Sequence, residues 1–391
     1  MRSLKTALVL ILVSLGFLVG YFAGWQVNGD NVVRLTPDEL DAAATAGQLQ
    51  QRIIEELQGR YYKDVDPDAL SQKGVQGMLK SLDDPYTVYL SPQEAQLLDE
   101  QTKGEYSGIG ASLQKKDGGL LITSVFDGSP AKAAGLGPGD LVVAVDGKKT
   151  QGAALEASVA RIKGKPGTDV TLTVREKGAK DETDVTLTRK TLPIPQTSSR
   201  MLEAGDQDVG YVQLYEFAGG AGDDVRREID KLEEKGADWI ILDLRYNGGG
   251  LLSEAVDVSG DFLRGEVVST KGLHSPLEVY KVDETPATDL PVVVLTNGYT
   301  ASASEIVTGA LKDRDRATVI GEKTFGKGVV QSIIPLGNGA SLKLTTASYY
   351  TPDGTDLDKK GIVPDIVVKD DPKTKKKDEI LQRALAFIAA Q

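Results

Sequence analysis

The chain has 391 residues, 40% of them apolar, which is enough Val, Ile and Leu for two or three packed domains and argues against a disordered chain. Its formal charge is −12, with 57 acidic against 45 basic side chains, and an acidic chain without a basic face is a poor binder of nucleic-acid phosphates. With no Cys and one His, His274, it has no thiol nucleophile and no disulfide, lacks the ligands of nearly every zinc site, and could run a His-dependent triad through one residue alone.

Arg2 and Lys5 precede an apolar run from Ala7 to about Ala23. The run is intermediate between a signal-peptide core and a full membrane span, and the positive charge before it keeps the start in the cytoplasm while the rest crosses. No Cys follows for lipoprotein attachment, and Phe22-Ala23-Gly24-Trp25 is a poor cleavage site. The expectation is a membrane anchor over 1–27 in a bacterial-type cell envelope, with the remainder extracytoplasmic; a cleaved, secreted form is the alternative.

Residues 28–104 read as helices. Thr36-Pro37-Asp38-Glu39 is a start signal, Ile53-Ile54…Leu57…Tyr61 has helical apolar spacing, Asp83-Asp84-Pro85-Tyr86 is a turn, and Ser91-Pro92-Gln93-Glu94 opens another helix. From Glu105 the pattern changes to short strands with glycine turns: Gly108–Leu113, Leu120–Val125, Leu141–Val145, Val170–Arg175 and Asp184–Thr188, with a helix near Ala153–Ile162. Residues 105–190 are a compact β-rich module, and Thr191-Leu192-Pro193-Ile194-Pro195 reads as a linker.

Beyond it, over 191–370, strands and helices alternate: Val209–Leu214, Asp223–Lys235, Trp239–Leu244, Leu252–Leu263, Val292–Thr296, Ala303–Lys312, Ala317–Ile320, Val329–Pro335 and Ser341–Tyr350. That order predicts an α/β core with helices on a mixed sheet. Residues 371–391 are a tail, with the basic run Lys373–Lys377 before an amphipathic helix.

Three loops of the α/β core carry chemistry. In Asn297-Gly298-Tyr299-Thr300-Ala301-Ser302-Ala303-Ser304-Glu305 a buried strand turns into a helix, where a hydroxyl would lie beside helix-start N–H groups able to hold an oxyanion. Ser302 with Glu305 also fits a capping box, and Thr300, Ser302 and Ser304 all compete for the reactive role. In Gly321-Glu322-Lys323-Thr324-Phe325-Gly326-Lys327-Gly328 the pattern nearly matches a phosphate loop. Gly328 stands where the Mg²⁺-binding hydroxyl belongs, however, and a strand follows instead of a helix. A desolvated Lys327 could instead take a proton from a Ser hydroxyl, with Gln331 on the same strand face as its orienting amide. Lys323 reads as a surface charge. In Asp243-Leu244-Arg245-Tyr246-Asn247-Gly248-Gly249-Gly250 consecutive N–H groups form an anion nest without the dinucleotide order of glycines.

Together these residues resemble the carboxy-terminal processing proteases, the tail-specific Ser–Lys endopeptidases. The resemblance runs through Asp84-Pro85-Tyr86…Tyr89-Leu90, Leu244-Arg245…Asn247…Gly249-Gly250, Thr300-Ala301-Ser302-Ala303-Ser304-Glu305 and Gly321-Glu322…Thr324-Phe325-Gly326-Lys327-Gly328…Gln331. It implies Ser302 as nucleophile, Lys327 as general base and Gln331 as its orienter. It also implies the N–H groups of Gly250 and Ala303 as oxyanion hole, with Gly249 an adjacent candidate. Asn247-Gly248 replaces the Asn-Pro common among relatives.

The β-rich module resembles a PDZ domain, on Tyr106-Ser107-Gly108-Ile109-Gly110 and on Ser129-Pro130-Ala131…Ala134-Gly135-Leu136…Gly139-Asp140. That likeness implies substrate tails captured at Ser107, Gly108, Ile109 and Gly110 by strand addition and carboxylate binding. The expected reading is an extracytoplasmic serine endopeptidase that cuts proteins selected by their C-terminal tails. No metal or cofactor is expected. The expected partners are peptide tails and, through the anchor, the membrane, with no nucleic acid; self-association into a homo-oligomer stays open.

Overall fold

The computed structural model describes residues 37–370 and 377–391. The anchor expected over 1–27, the cap at Thr36 and most of the basic run at 373–377 lie outside the described residues. Among the described residues no helix is long and apolar enough to cross a membrane.

The described residues up to Ser81 form one compact unit, in which helices α1 (Pro37–Arg60) and α2 (Pro67–Lys80) are paired. Asp66 caps α2, its carboxylate accepting from the N–H groups of Asp68 and Ala69, and Pro67 takes the first helical position, where no N–H is needed.

The second unit, from Leu82 onward, begins with a short strand β1 (Val88–Leu90) and helix α3 (Pro92–Lys103). A capping box between Ser91 and Glu94 starts α3, and Gly104, at φ 66°, ends it. Next come β2 (Glu105–Gly108), β3 (Ala111–Lys116), β4 (Gly119–Val125), the single turn α4 (Pro130–Ala133), β5 (Leu141–Val145), β6 (Lys148–Lys149), α5 (Leu155–Ile162), β7 (Asp169–Arg175) and β8 (Thr183–Thr188). The sheet runs β3-β4-β5-β7-β8, with β6 on β5, over a core that includes Ile122, Val142, Leu172 and Val174.

The expected linker is a strand. Residues Lys190–Pro193 form β9, paired antiparallel with β2 so that Glu105 faces Pro193 and Gly108 faces Lys190. The prolines do not break it, because Pro193 ends the strand and this two-stranded ribbon has no further neighbour needing an N–H.

The α/β core contains β10 (Thr197–Ala204), β11 (Gln207–Leu214), α6 (Ala221–Glu234), β12 (Trp239–Asp243), α7 (Leu252–Gly260), β13 (Gly265–Lys271), β14 (Glu278–Val282), β15 (Val292–Thr296), α8 (Ala303–Asp313), β16 (Ala317–Gly321), β17 (Val329–Pro335), β18 (Ser341–Tyr350), β19 (Ile366–Val367) and α9 (Glu379–Ile388). The main sheet has the order β10-β11-β12-β15-β16-β19; β10 is antiparallel to β11 and the rest are parallel. It is mixed, as expected from the sequence. A second sheet, antiparallel throughout, joins β1, β18, β13 and β14, with β17 also on β18. Strands β10, β13, β14 and β19 were not expected, and α7 stops at Gly260, short of Leu263.

The continuous apolar strands make sense in this arrangement. Ile240, Leu242, Val292, Val294 and Val319 join the helices α6, α7 and α8 in one core, while Ile241, Val293, Leu295 and Ile320 meet α9 in another. A parallel sheet covered on both faces needs apolar side chains at every position. Its inner strands β12, β15 and β16 are neighbours, so the loops leaving their C-terminal ends converge, at the place where open α/β sheets bind ligands.

Asp261, at the end of α7, is buried with Arg226 as partner, and burial first, then Asp257 and Asp223, push its carboxyl up to about 7 against the pull of Arg226. A raised folded-state value means that the protein binds this proton more tightly than the unfolded chain does. Stability from this group is therefore present below the ordinary Asp range and is lost as pH rises through about 7. Asp261→Asn should flatten the fall in melting temperature across that window, as calorimetry at several pH values would show; an unchanged slope would refute it.

Candidate active site

The loop after β12 is fixed from beneath. Arg245, 8% exposed, grips Asp243 through Nε and Nη2 (3.0 and 2.6 Å) and Asp378 through Nη1 and Nη2 (2.6 and 2.9 Å). Asp243 also accepts from the Tyr211 hydroxyl at 2.6 Å. Burial works against the Arg245 charge, but the two carboxylates hold the guanidinium protonated more firmly than usual. Asn247 is buried as well: its Nδ2 donates to the Leu214 carbonyl (2.9 Å) and its Oδ1 accepts from the Gly249 N–H (2.9 Å).

That last bond bears on Gly249, the adjacent oxyanion candidate, and not on the expected pair of Gly250 and Ala303. The Gly249 N–H is occupied by Asn247, whereas among the described residues no backbone carbonyl accepts from the N–H of Gly250 or Ala303. Gly249 still serves by its size, since a Cβ there would lie 2.8 Å from Ser302 Cβ and 2.7 Å from the Ala301 carbonyl. Gly250 has φ 150°, and a Cβ on it would run into the Phe217 carbonyl at 2.2 Å.

The loop after β15 separates the three competing hydroxyls. Thr300 is fully buried; its hydroxyl donates to the Leu244 carbonyl (2.9 Å) and accepts from the Asn297 N–H (3.0 Å). Ser304 is equally buried and donates to the Asn247 carbonyl (3.0 Å). Both are committed to the backbone of their own or a neighbouring loop. Ser302 stands at the head of α8 with φ 57° and ψ −117°, a costly conformation for a residue with a side chain, and it lines the open cleft.

Glu305, fully buried, connects this loop to the next. Its Oε2 accepts from the N–H groups of Ser302 (2.9 Å) and Lys327 (2.8 Å). Its Oε1 accepts from the Thr324 hydroxyl (2.5 Å) and the Gly326 N–H (2.7 Å). Thr324 Oγ1 in turn accepts from the Ile362 N–H, and Phe325 N–H donates to the Thr300 carbonyl. The sequence marked Glu305 only as a cap partner; no local pattern announced its bonds to the lysine loop.

Lys327 is half-buried and Lys323 is exposed. Burial lowers the Lys327 pKa from the ordinary lysine range, the nearby Lys343 lowers it further, and Glu305 opposes both. A strand, β17, follows Gly328, and a Cβ at Gly328 would collide with the Asp358 N–H nitrogen at 2.0 Å. Gln331 shares the cleft, although the expected face argument does not carry it there: a bulge lies between Val330 and Gln331 and re-aims the side chain. Gln331 Nε2 donates to the Tyr86 carbonyl (2.9 Å), and its Oε1 is buried without a partner among the described residues. Ser302, Lys327, Gln331, Gly249, Gly250 and Lys343 all line one cleft of about 760 Å³.

The expected tail-binding residues lie elsewhere in the same unit. Ser107 and Gly108 belong to β2 in the ladder with β9, while Ile109 and Gly110 lie beyond it. The carbonyls of Ile109 and Gly110 accept from the N–H groups of Ala131 and Phe126. Gly110, at φ 78°, is pressed against Ser129, whose Cβ would be 2.2 Å from an added methyl.

Comparison with known proteins supplies the family. A model described as peptidase family S41 matches residues 208–368, one described as a PDZ domain matches 107–187, and one described as the activating protease CtpB N-terminal domain matches 30–94. The chain is 38% identical over 317 residues to the carboxy-terminal processing protease CtpA of Bacillus subtilis (strain 168), covering 81% of this chain and 67% of that protein. It is 40% identical over 299 residues to a carboxyl-terminal-processing protease of Synechocystis sp., covering 75% of this chain and 70% of that one. The solved photosystem II D1 C-terminal processing protease is similar with a TM-score of 0.51 and 29% identity, over 88% of this chain and 97% of that one.

Replacing Glu305 tests the link between the loops. Glu305→Gln keeps the volume but turns an amide toward N–H and O–H donors, so it should lower unfolding stability by about 3 kcal/mol and remove most turnover. Denaturant unfolding and a peptide assay measure both; a stable, fully active variant would show the carboxylate to be dispensable.

Proposed function

The chain belongs to the carboxy-terminal processing proteases of peptidase family S41, and on that footing we propose that it is a Ser–Lys endopeptidase in which Ser302 attacks and Lys327 moves the proton. The observation that carries the assignment is the shared Glu305 carboxylate, which bonds the N–H groups of Ser302 and Lys327 while the hydroxyls of Thr300 and Ser304 are spent on backbone carbonyls.

The neutral amine of Lys327 takes the proton from the Ser302 hydroxyl as Oγ attacks the scissile carbonyl carbon. The tetrahedral oxyanion is held by the N–H groups of Gly250 and Ala303. As the C–N bond breaks, the Lys327 ammonium returns its proton to the leaving amine. Water then attacks the acyl-enzyme, with Lys327 again as base. Gln331 orients Lys327 through its unpartnered Oε1.

Substrate choice falls to the PDZ domain, where the loop Ser107-Gly108-Ile109-Gly110 takes a terminal carboxylate and β-type pairing takes the residues before it. The enzyme works outside the cytoplasm, tethered by the apolar run Ala7–Ala23.

Ser302→Ala and Lys327→Ala should each lose at least ~10³-fold in kcat/KM, and the double variant little more, because the pair acts as a unit. Lys323→Ala and His274→Ala should keep most activity; loss in either with Lys327→Ala active would sink the base assignment.

The pH profile follows from the lowered pKa of Lys327. A protonated amine cannot accept the serine proton, so kcat/KM should rise with pH through a limb placed below the ordinary lysine range. Lys343→Met removes a like charge and should move that limb to higher pH; a limb that stays put would show that Lys343 does not act on the base.

Peptides with free and amidated C-termini should differ. The free carboxylate makes charge-assisted bonds roughly twice as strong as neutral ones, so amidation should lower kcat/KM, chiefly through KM. Equal rates would mean that this domain does not read the tail end.

A further inference from the structure

The turn before β1 meets the lysine that lines the cleft. The Asp84 carboxylate accepts from the Tyr86 N–H (2.9 Å) and the Thr87 hydroxyl (2.6 Å). Thr87 Oγ1 accepts from the Thr345 N–H of β18 (3.1 Å), and Val88 lies opposite Lys343 in the β1–β18 ladder. Tyr86 is thereby held against the lysine loop, 241 residues away in sequence from the base it meets: Lys327 Nζ stands 5.0 Å from the centroid of its ring. The Tyr86 carbonyl accepts from Gln331 Nε2, which leaves Gln331 Oε1 buried and unpartnered. The ring of Tyr86 meets the amine directly, and its carbonyl fixes Gln331, the amide proposed above to orient Lys327.

We propose that Tyr86 is a positioning residue of the active site, whose ring face stabilises the ammonium form of Lys327 that arises when it takes the serine proton. The inference rests on Lys327 being the base. A half-buried amine is easily kept neutral, but the ammonium it becomes then lies in a poor medium. A carboxylate directly beside Nζ would solve this by keeping the amine charged from the start, which would end its use as a base. An aromatic face attracts a cation without carrying a charge, so it favours the ammonium only modestly.

The surrounding charges fit that division. Lys327 is faced by Glu305 of α8 and by Lys343 of β18, with Tyr349 and Glu216 also lining the cleft. Tyr86 is faced by Asp84, Asp358 and Glu305, and burial first, then these carboxylates, push its phenol up from the ordinary tyrosine value. Those shifts oppose ionisation of the phenol, while the shift at Lys327 favours the neutral amine.

The test is a graded series at position 86 in the full chain: Tyr86→Phe, then singly and triply fluorinated phenylalanine, which drain the ring's negative face while keeping its shape, and Tyr86→Leu. Tyr86→Phe should stay within about twofold of the native kcat. The trifluorinated ring and Leu should lower kcat about tenfold, between the size of an exposed and of a desolvated cation–π contact, with KM little changed. Their acid limb should move to lower pH, because the ammonium has lost its support. Folded fluorinated variants with native kcat and an unmoved limb would overturn the proposal, as would a loss of kcat that tracks a loss of melting temperature with the limb unmoved. Lys327→Ala, run alongside, separates the two layers. If it retains turnover, the base assignment fails and the proposal with it; if it is inactive while fluorination has no effect, only the role of Tyr86 falls.

Discussion

A single buried carboxylate holds the working parts of this molecule in register. Glu305 accepts four hydrogen bonds, from Ser302, Thr324, Gly326 and Lys327, and three of the four donors are main-chain N–H groups. A buried charge is tolerable only when its lone pairs are filled, so each loop is needed to stabilise the group that holds the other. None of the four comes from the side chain of Ser302 or Lys327, which leaves both free for the chemistry proposed for them. The same logic recurs one layer down, where Arg245 is satisfied by Asp243 and Asp378 and fixes the root of the glycine loop.

The sheet supplies what the carboxylate alone cannot. Because β12, β15 and β16 are adjacent and parallel, three loops far apart in sequence leave the sheet side by side. The close approaches between them then require glycine: Gly249 against Ser302, Gly250 against Phe217 and Gly328 against Asp358 leave no room for a Cβ. The strain at Ser302 is held by this frame, which is fully packed on both faces by α6 to α9.

Much of this was legible in the sequence, for reasons that are local. The strand-to-loop-to-helix patterns around Ser302 and Gly250, and the strand after Gly328, follow from composition and spacing alone. The choice among Thr300, Ser302 and Ser304 was not, because what distinguishes them is the carbonyl each hydroxyl reaches, at Leu244 and Asn247 in another loop. Residues 191–195 looked like a linker because prolines dominate the pattern, yet β2 provides a partner that periodicity cannot reveal. The polar edge strand β10 and the exposed β14 lack the apolar runs that mark β12 and β15, so they passed unnoticed. Tyr86 gave no sign of its place beside Lys327, since nothing in a turn sequence encodes a contact with a distant strand.

The ribbon of β2 and β9 has a further meaning. The PDZ domain starts and finishes on two strands that pair with each other, and the Ile194 N–H closes the gap by donating to the Gly104 carbonyl at 2.7 Å. A domain whose two ends meet can be gained, lost or exchanged without stretching the host around it. In evolutionary terms the ribbon is a socket, at which one cassette can be replaced while the α/β core around it stays as it is.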